Sequence, residues 1–201
     1  RLHRGRAGGG RRSPPEAPTG DGSRGILEGY AAQIRWDGTQ PQRLIHRSDC
    51  NGESAMGLAF GGATADVPGA LAAAERILDH WYFESIAQQG KRADPEHPAF
   101  GLVAWGTSNW AWEKAFYGDD NARALLGLMA SAASLKTDRW DEGIARCIIG
   151  NFRTAGPEGF RRNRIDEPDL IKNGWRFYHK ERIESFAPHY QAYLWACYLW
   201  A

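Results

Sequence analysis

Eight acids fall at the starts of apolar segments or in the stretches that connect them: Glu28, Asp37, Asp49, Glu53, Glu113, Asp119, Asp120 and Asp166. Two carboxyl groups facing each other can divide one reaction between them. The protonated one releases a leaving oxygen, and the ionised one acts as base or nucleophile, which is how glycosidic bonds are usually cleaved. Neighbours in sequence point in different directions, so Asp119 and Asp120 do not flank one bond together. A working pair must come from two segments, and Asp120 with Asp49 or Glu53 is the expected one. Asp49 and Asp119 also stand where a helix N-cap would be, so a plain cap is the alternative for each. The helix dipole there favours the ionised form, which suits a base or nucleophile better than an acid.

Other residue types could hold a ligand. Ala104–Glu113 reads AWGTSNWAWE, and the faces of Trp105, Trp110 and Trp112 could stack on sugar rings or, alternatively, pack a loop between helices. Trp110 and Trp112 are two apart, so they cannot share one wall. Arg153 and Arg164, with Arg161 and Arg162, crowd a later connector; they could clamp an acidic substrate bidentately or pair with local acids such as Asp166. His97 and His189, the latter followed by Tyr190, could carry protons or bind sugar hydroxyls, or be structural histidines. No metal site is expected, because no ligand set has recognisable spacing. No cofactor is expected either. Glycine-rich phosphate loops after a strand and Gly-x-Ser-x-Gly elbows are both missing.

The elements that must position these groups read as helices. Cys50–Thr64 and Asp120–Lys136 are small and apolar on most faces. Pro68–Gln88 carries an apolar stripe (Leu71, Ala74, Ile77, Leu78, Trp81, Tyr82), opened by a proline in its first turn. Trp140–Phe152 places Trp140, Ile144, Ile148 and Phe152 at i, i+4 spacing, and His189–Ala201 is a further apolar helix. Tyr30–Trp36 is the one candidate strand.

Connector lengths alternate. Ala65–Val67 and Thr137–Arg139 are short and force antiparallel hairpins, whereas about thirty residues precede the third and fifth helices. All long connectors should therefore emerge at one end of the bundle, where loops of more than ~15 residues are commonly functional. A faint repeat agrees: Asp49-Cys-Asn51, Asp119-Asp-Asn121 and His189-Tyr-Gln191 recur every 70 residues, although three matching positions could also arise by chance. The first, third and fifth helices should be inner, and the second and fourth, with polar faces, outer.

Composition bounds the function. Of 201 residues, 25 are Lys or Arg and 24 are Asp or Glu, so nothing suggests a nucleic-acid partner. No apolar run reaches the ~20 residues of a membrane span. The 3 cysteines form no CxxC pair. Residues 1–24 are rich in Arg, Gly and Pro and lack the apolar stretch of a signal peptide, which predicts a disordered leader or linker. The compartment is left open, cytoplasm or periplasm/secreted. Opening on Arg1 and stopping within an apolar helix at Tyr190–Ala201, the chain is expected to be part of a longer protein.

Several strings together resemble bacterial proteins of the six-hairpin glycosidase superfamily over about residues 25–201. They are Glu28-Gly-Tyr, Arg47-Ser-Asp-Cys-Asn-Gly-Glu-Ser-Ala-Met, Ala104-Trp-Gly, Tyr117-Gly-Asp-Asp-Asn-Ala-Arg-Ala-Leu-Leu-Gly and Asn151-Phe-Arg-Thr-Ala-Gly. The fifth-helix truncation and hairpin rhythm then correspond to an all-α fold, a partial (α/α)6 toroid of about two and a half of six hairpins, since a full ring needs on the order of 400 residues. The resemblance implies a carbohydrate-active enzyme with an oligosaccharide or polysaccharide partner and its site at the loop-bearing rim. It also spans uronyl hydrolases, lyases and sugar epimerases, for which His189 and Tyr190 would matter more than the aspartates, and a non-catalytic sugar-binding module shares the same groove. Some members use a Cys/Glu zinc cluster, and Cys50 stands three before Glu53, without a further ligand set.

Overall fold

Five apolar stretches become the five long helices of the computed structural model, which describes residues 20–181 and 185–201. They are α1 (Ser48–Ala65), α2 (Ala70–Asp79), α3 (Gly118–Leu135), α4 (Asp141–Arg153) and α7 (Pro188–Trp200). Two short helices, α5 (Glu167–Asn173) and α6 (Trp175–Lys180), lie in the second long connector and were not anticipated, because neither is long enough to show a period. The fold is all-α. No helix among the described residues is long and apolar enough to cross a membrane.

The hairpins close as their short links require. Asp66 (φ 49°) and Lys136 (φ 54°) end α1 and α3 in the left-handed conformation, and the Lys136 N–H returns to the Ala132 and Ala133 carbonyls. The second helix departs from expectation. Pro68 stands in the turn before it, Gly69 (φ 76°) caps it, and after Asp79 it widens into a π-helical turn, His80–Glu84.

α1, α3 and α7 lie side by side and run in the same direction. A Cβ on Gly127 would stand 2.3 Å from the Gly52 carbonyl oxygen, so the first pair meets backbone to backbone, a contact only glycine permits. Gly118 faces Tyr190, and Cys197 Sγ lies 3.5 Å from the Ala122 carbonyl, so α7 keeps the same register against α3. α2 backs this layer: Ile77, Leu78, Trp81 and Tyr82 join Ala55, Leu125 and Leu128 in the main core, with Cys147 of α4 on the other flank. The buried Tyr82 hydroxyl donates to the Ala124 carbonyl at 3.0 Å.

Four strands of two or three residues tie the connectors down. β1 (Gly29–Tyr30) pairs with β2 (Gln42–Arg43), and β3 (Ala115–Tyr117) with β4 (Arg164–Asp166), Phe116 opposite Ile165. Both pairs are antiparallel. The strand expected at Tyr30–Trp36 is therefore reduced to its first residue, and the rest is loop. Arg47 forms a further bridge with Gly106. Both long connectors thus reach the end where α1, α3 and α7 begin. Of the stretch expected to be a leader, residues 1–19 lie outside the described residues, whereas residues 20–24 are bonded to the fold: Arg76 Nε donates to the Asp21 carbonyl at 2.7 Å.

The 70-residue repeat has a structural meaning. Asn51, Asn121 and Gln191 each occupy the fourth position of a parallel helix, and each carboxamide clamps a connector's backbone in the same way. Asn51 accepts from the Ile26 N–H (2.7 Å) and donates to the Ile26 carbonyl (3.1 Å). Asn121 does the same with Val103 (2.8 Å both ways) and Gln191 with Arg161 (3.0 and 2.7 Å). Peptide groups of an irregular connector cannot be buried unpaired, and the amide side chain supplies the missing partner.

Candidate active site

The first turns of α1 and α3 stand next to each other, so the groups they carry meet. Arg47 is extended (φ −115°, ψ 147°) just ahead of α1, and its Nη2 lies 2.8 Å from both Asp49 Oδ2 and Asp120 Oδ1. One guanidinium nitrogen thus joins the two carboxyl groups. One turn on, Arg123 holds Glu53 in a two-pronged pair at 2.7 Å and reaches Asp49 Oδ2 at 3.1 Å. Glu28, just ahead of β1, lies 3.8 Å from Arg47 and 3.3 Å from Arg43. Asp49, Glu53 and Asp120 thus belong to one cluster.

Neither Asp49 nor Asp119 is a cap. The N-cap positions are held by Arg47 and Tyr117, without side-chain capping bonds, and both aspartates sit inside the first turn. Asp119 makes no contact with Arg47; its buried Oδ1 has no hydrogen-bond partner, and its charge acts on Arg161 and Tyr190. At Asp120 the helix dipole, which favours an ionised acid in a first turn, does not decide. Burial and the neighbouring Asp49 charge outweigh the Arg47 hydrogen bond and push the Asp120 carboxyl up to about 7. A carboxyl that keeps its proton near neutrality is suited to be the acid.

An aromatic wall rises beside the pair. Arg47 stacks on the Trp105 ring at 5.6 Å, and Trp105 meets Trp112 at 4.3 Å and Tyr117 at 5.1 Å. Arg164 extends the wall, donating from Nη1 to the Tyr117 hydroxyl (3.0 Å) and from Nη2 to Asp166 (2.6 Å). Tyr190 closes it from α7, against Gly118, with its ring on His189 at 4.3 Å. Its phenol is pushed up by burial and by Asp119 and Asp120.

The remaining expected binding residues lie elsewhere. Trp110 is 71% exposed and stacks with Lys114 on another face of the connector. His97 Nδ1 accepts the Ala99 N–H at 3.1 Å, a turn contact. Arg153 packs over Phe100 and Trp175 and donates to the Pro95 carbonyl, so it is a connector brace. Arg47, Arg123 and Tyr117 were missed as site residues. The repeat could have found them: Tyr117 is 70 residues after Arg47, and Arg123 is 70 after Glu53.

The large cleft of this end, about 1040 Å³, lies on the other side of the Arg47–Gly106 bridge. In an extended segment adjacent side chains face opposite ways. Arg47 turns to the carboxylates and His46 to the cleft, with Lys91, Lys114, Trp110 and His80. His46 Nδ1 lies 2.8 Å from Thr107 Oγ1, and its ring packs on Trp81. Burial first, then His80, pulls its imidazole down to about 4.

Among the described residues no group of three or more His, Cys, Asp or Glu is arranged to hold a metal ion. Burial pushes the Cys50 thiol up to about 12, so it offers no thiolate near neutral pH. No protein-family model matches the chain, and no curated protein or solved structure is detectably similar to it.

Proposed function

We propose that the chain is part of an (α/α)6 toroid and that its carboxylate-lined face hydrolyses a glycosidic bond in an oligosaccharide or polysaccharide. One observation carries the reading. Asp120, a buried carboxyl that holds its proton to about pH 7, lies beside a second carboxyl and under a wall of indoles. Asp120 is the general acid. With Oδ1 held by Arg47, Oδ2 is the oxygen that gives the proton to the leaving sugar. Asp49 is the opposing carboxylate, the base or nucleophile of the pair. Arg47 and Arg123 position the pair; Trp105 and Trp112 offer the apolar faces on which the sugar's C–H side rests. Three parallel helices with every long connector at one end support the toroid.

Tyr190 bears on the lyase and epimerase alternative. Such reactions need a proton-abstracting base, and a phenol pushed up is a poorer one, which favours hydrolysis. The test is release of reducing ends from a panel of neutral, amino and acidic glycans by the wild-type protein and by Asp120→Asn. Wild-type turnover should decline as pH rises above about 7, because the acid loses its proton. Asp120→Asn should lose on the order of 10²–10⁴ in rate while still binding sugar. An unchanged rate in the variant contradicts the assignment, and binding without any turnover by the wild type would make the chain a sugar-binding module.

A further inference from the structure

The ribbon made by β1, β2 and the loop between them is ordered although its outer part buries nothing. Residues 32–40 are all exposed, so their shape comes from hydrogen bonds and not from packing. The Ala31 N–H donates to the Pro41 carbonyl and the Arg35 N–H to the Thr39 carbonyl, both at 2.8 Å. At the tip the Gly38 N–H returns to the Arg35 carbonyl at 3.0 Å, with Gly38 at φ 80°, and Asp37 Oδ1 accepts from the Thr39 N–H and hydroxyl. That turn holds Trp36 outward, 99% exposed. Tyr30, Ile34 and Leu44 on the same ribbon are exposed too, and large apolar side chains gathered on a surface mark a contact.

The ribbon is rooted in the carboxyl face. Glu28, just ahead of β1, bonds to Arg43 of β2 and to Arg47, whose Nη2 holds Asp49 and Asp120. Trp36 is seven residues from Gly29, so it stands within about 25 Å of that root. Exposed carboxamides accompany the rings: Gln33, and Gln42 directly opposite Tyr30. Each both donates and accepts, as sugar hydroxyls require. The charged residues of 28–44 cancel, Glu28 with Arg43 and Arg35 with Asp37. An anionic membrane would need an excess of cations, whereas a glycan needs apolar ring faces and amides.

We propose that the ribbon is a substrate arm: Trp36 and Tyr30 stack on sugar units outside the bond cleaved at Asp120, and the substrate is a chain of several sugars. This rests on the proposed function and names its substrate class. Stacking on a sugar that does not react is equally strong before and during the reaction, so it lowers KM and leaves kcat alone.

The experiment is retardation in gels containing carboxymethyl cellulose, glycol chitosan or polygalacturonate, with hydrolysis of each polymer and of its disaccharide, by the wild type, Trp36→Ala and Trp36→Tyr. Because Trp36 is fully exposed, both variants should keep the wild-type denaturation midpoint. On the polymer the wild type prefers, Trp36→Ala should weaken retardation and raise KM about tenfold at unchanged kcat, with disaccharide kinetics unaltered. Trp36→Tyr should keep most of the binding. A wild type that cleaves disaccharide as well as polymer, or a polymer KM that does not move in Trp36→Ala, would overturn the arm and leave the hydrolytic reading standing. Loss of self-association or of phosphatidylserine vesicle binding in Trp36→Ala, with polymer retardation intact, would overturn the arm and give the ribbon to another partner. Retardation without cleavage would end the hydrolytic reading alone, and the arm would stand or fall on the retardation of Trp36→Ala. A wild type that neither binds nor cleaves any of the polymers would overturn both.

Discussion

The two sides of the Arg47–Gly106 bridge are built from neighbouring residues and have opposite chemistry. On one side Arg47, Asp49 and Asp120 make a tight, mostly enclosed network under Trp105. On the other, His46, Lys91 and Lys114 line an open cleft beside an exposed Trp110. Cavity size alone would choose the cleft as the site. The carboxyl side has the chemistry on which the proposed reaction rests: its acids come from two helices whose positions are fixed backbone to backbone at Gly52 and Gly127. The cleft is walled by connector residues, and its perturbed group, His46, is held in the neutral form near neutral pH. A shift in pKa points to function only when the shifted form is the useful one.

The largest effect expected from breaking this contrast is in the tryptophans. Trp105→Ala removes an indole packed among Arg47, Trp112 and Tyr117 and should cost about 3 kcal/mol in urea denaturation, whereas exposed Trp110→Ala should stay within about 0.5 kcal/mol. Equal effects would mean the two sides are not distinct in packing. Next in size is the clamp beneath both sides. Asn121→Ala leaves the Val103 N–H and carbonyl unpaired in the interior, a loss of about 2–3 kcal/mol, read as a lower midpoint at unchanged slope. Asn121→Asp should be harmful too, because it replaces the donating half of the clamp with a buried acceptor.

Smaller, but of opposite sign on the two sides, are the pH effects. Asp120 goes from about 4 in an unfolded chain to about 7 in the fold, so its contribution is full below pH 4 and is lost as pH rises through 7. His46 goes from 6.5 to about 4, so its contribution is full above pH 6.5 and is lost as pH falls through 4. Between pH 4 and 6.5 the two slopes oppose each other. Asp120→Asn should leave stability rising more steeply with pH, and His46→Gln should leave it falling, when denaturation midpoints are compared across that window. Variants that move the slope in the same direction would contradict one of the assignments.

Much of the carboxyl side was legible before any coordinates. Asp49, Glu53 and Asp120 could be paired because two helices start 70 residues apart and run in parallel, so equal positions in the two first turns meet. Small residues in α1 and α3 also announced helices that pack closely. What hid was of two kinds. Protonation state hid because it depends on burial: enclosure first, and then the Asp49 charge beside it, raises the Asp120 carboxyl. Features that belong to connectors hid because irregular backbone has no period; β3, β4, α5, α6 and the placement of Trp110 and His97 are all of this sort. The arginines of the second long connector were open in sequence between a ligand clamp and local pairing; Arg164 pairs with Asp166, the local alternative, and Arg153 braces the connector.

A single titration bears on the acid directly. The side-chain carboxyl carbon of Asp120, followed by NMR from pH 3 to pH 9, should change with a midpoint near 7 and move down when the adjacent charge is removed in Asp49→Asn. A midpoint in the ordinary carboxylate range near 4, unmoved by that substitution, would leave this face without a proton donor and the hydrolytic account without its acid.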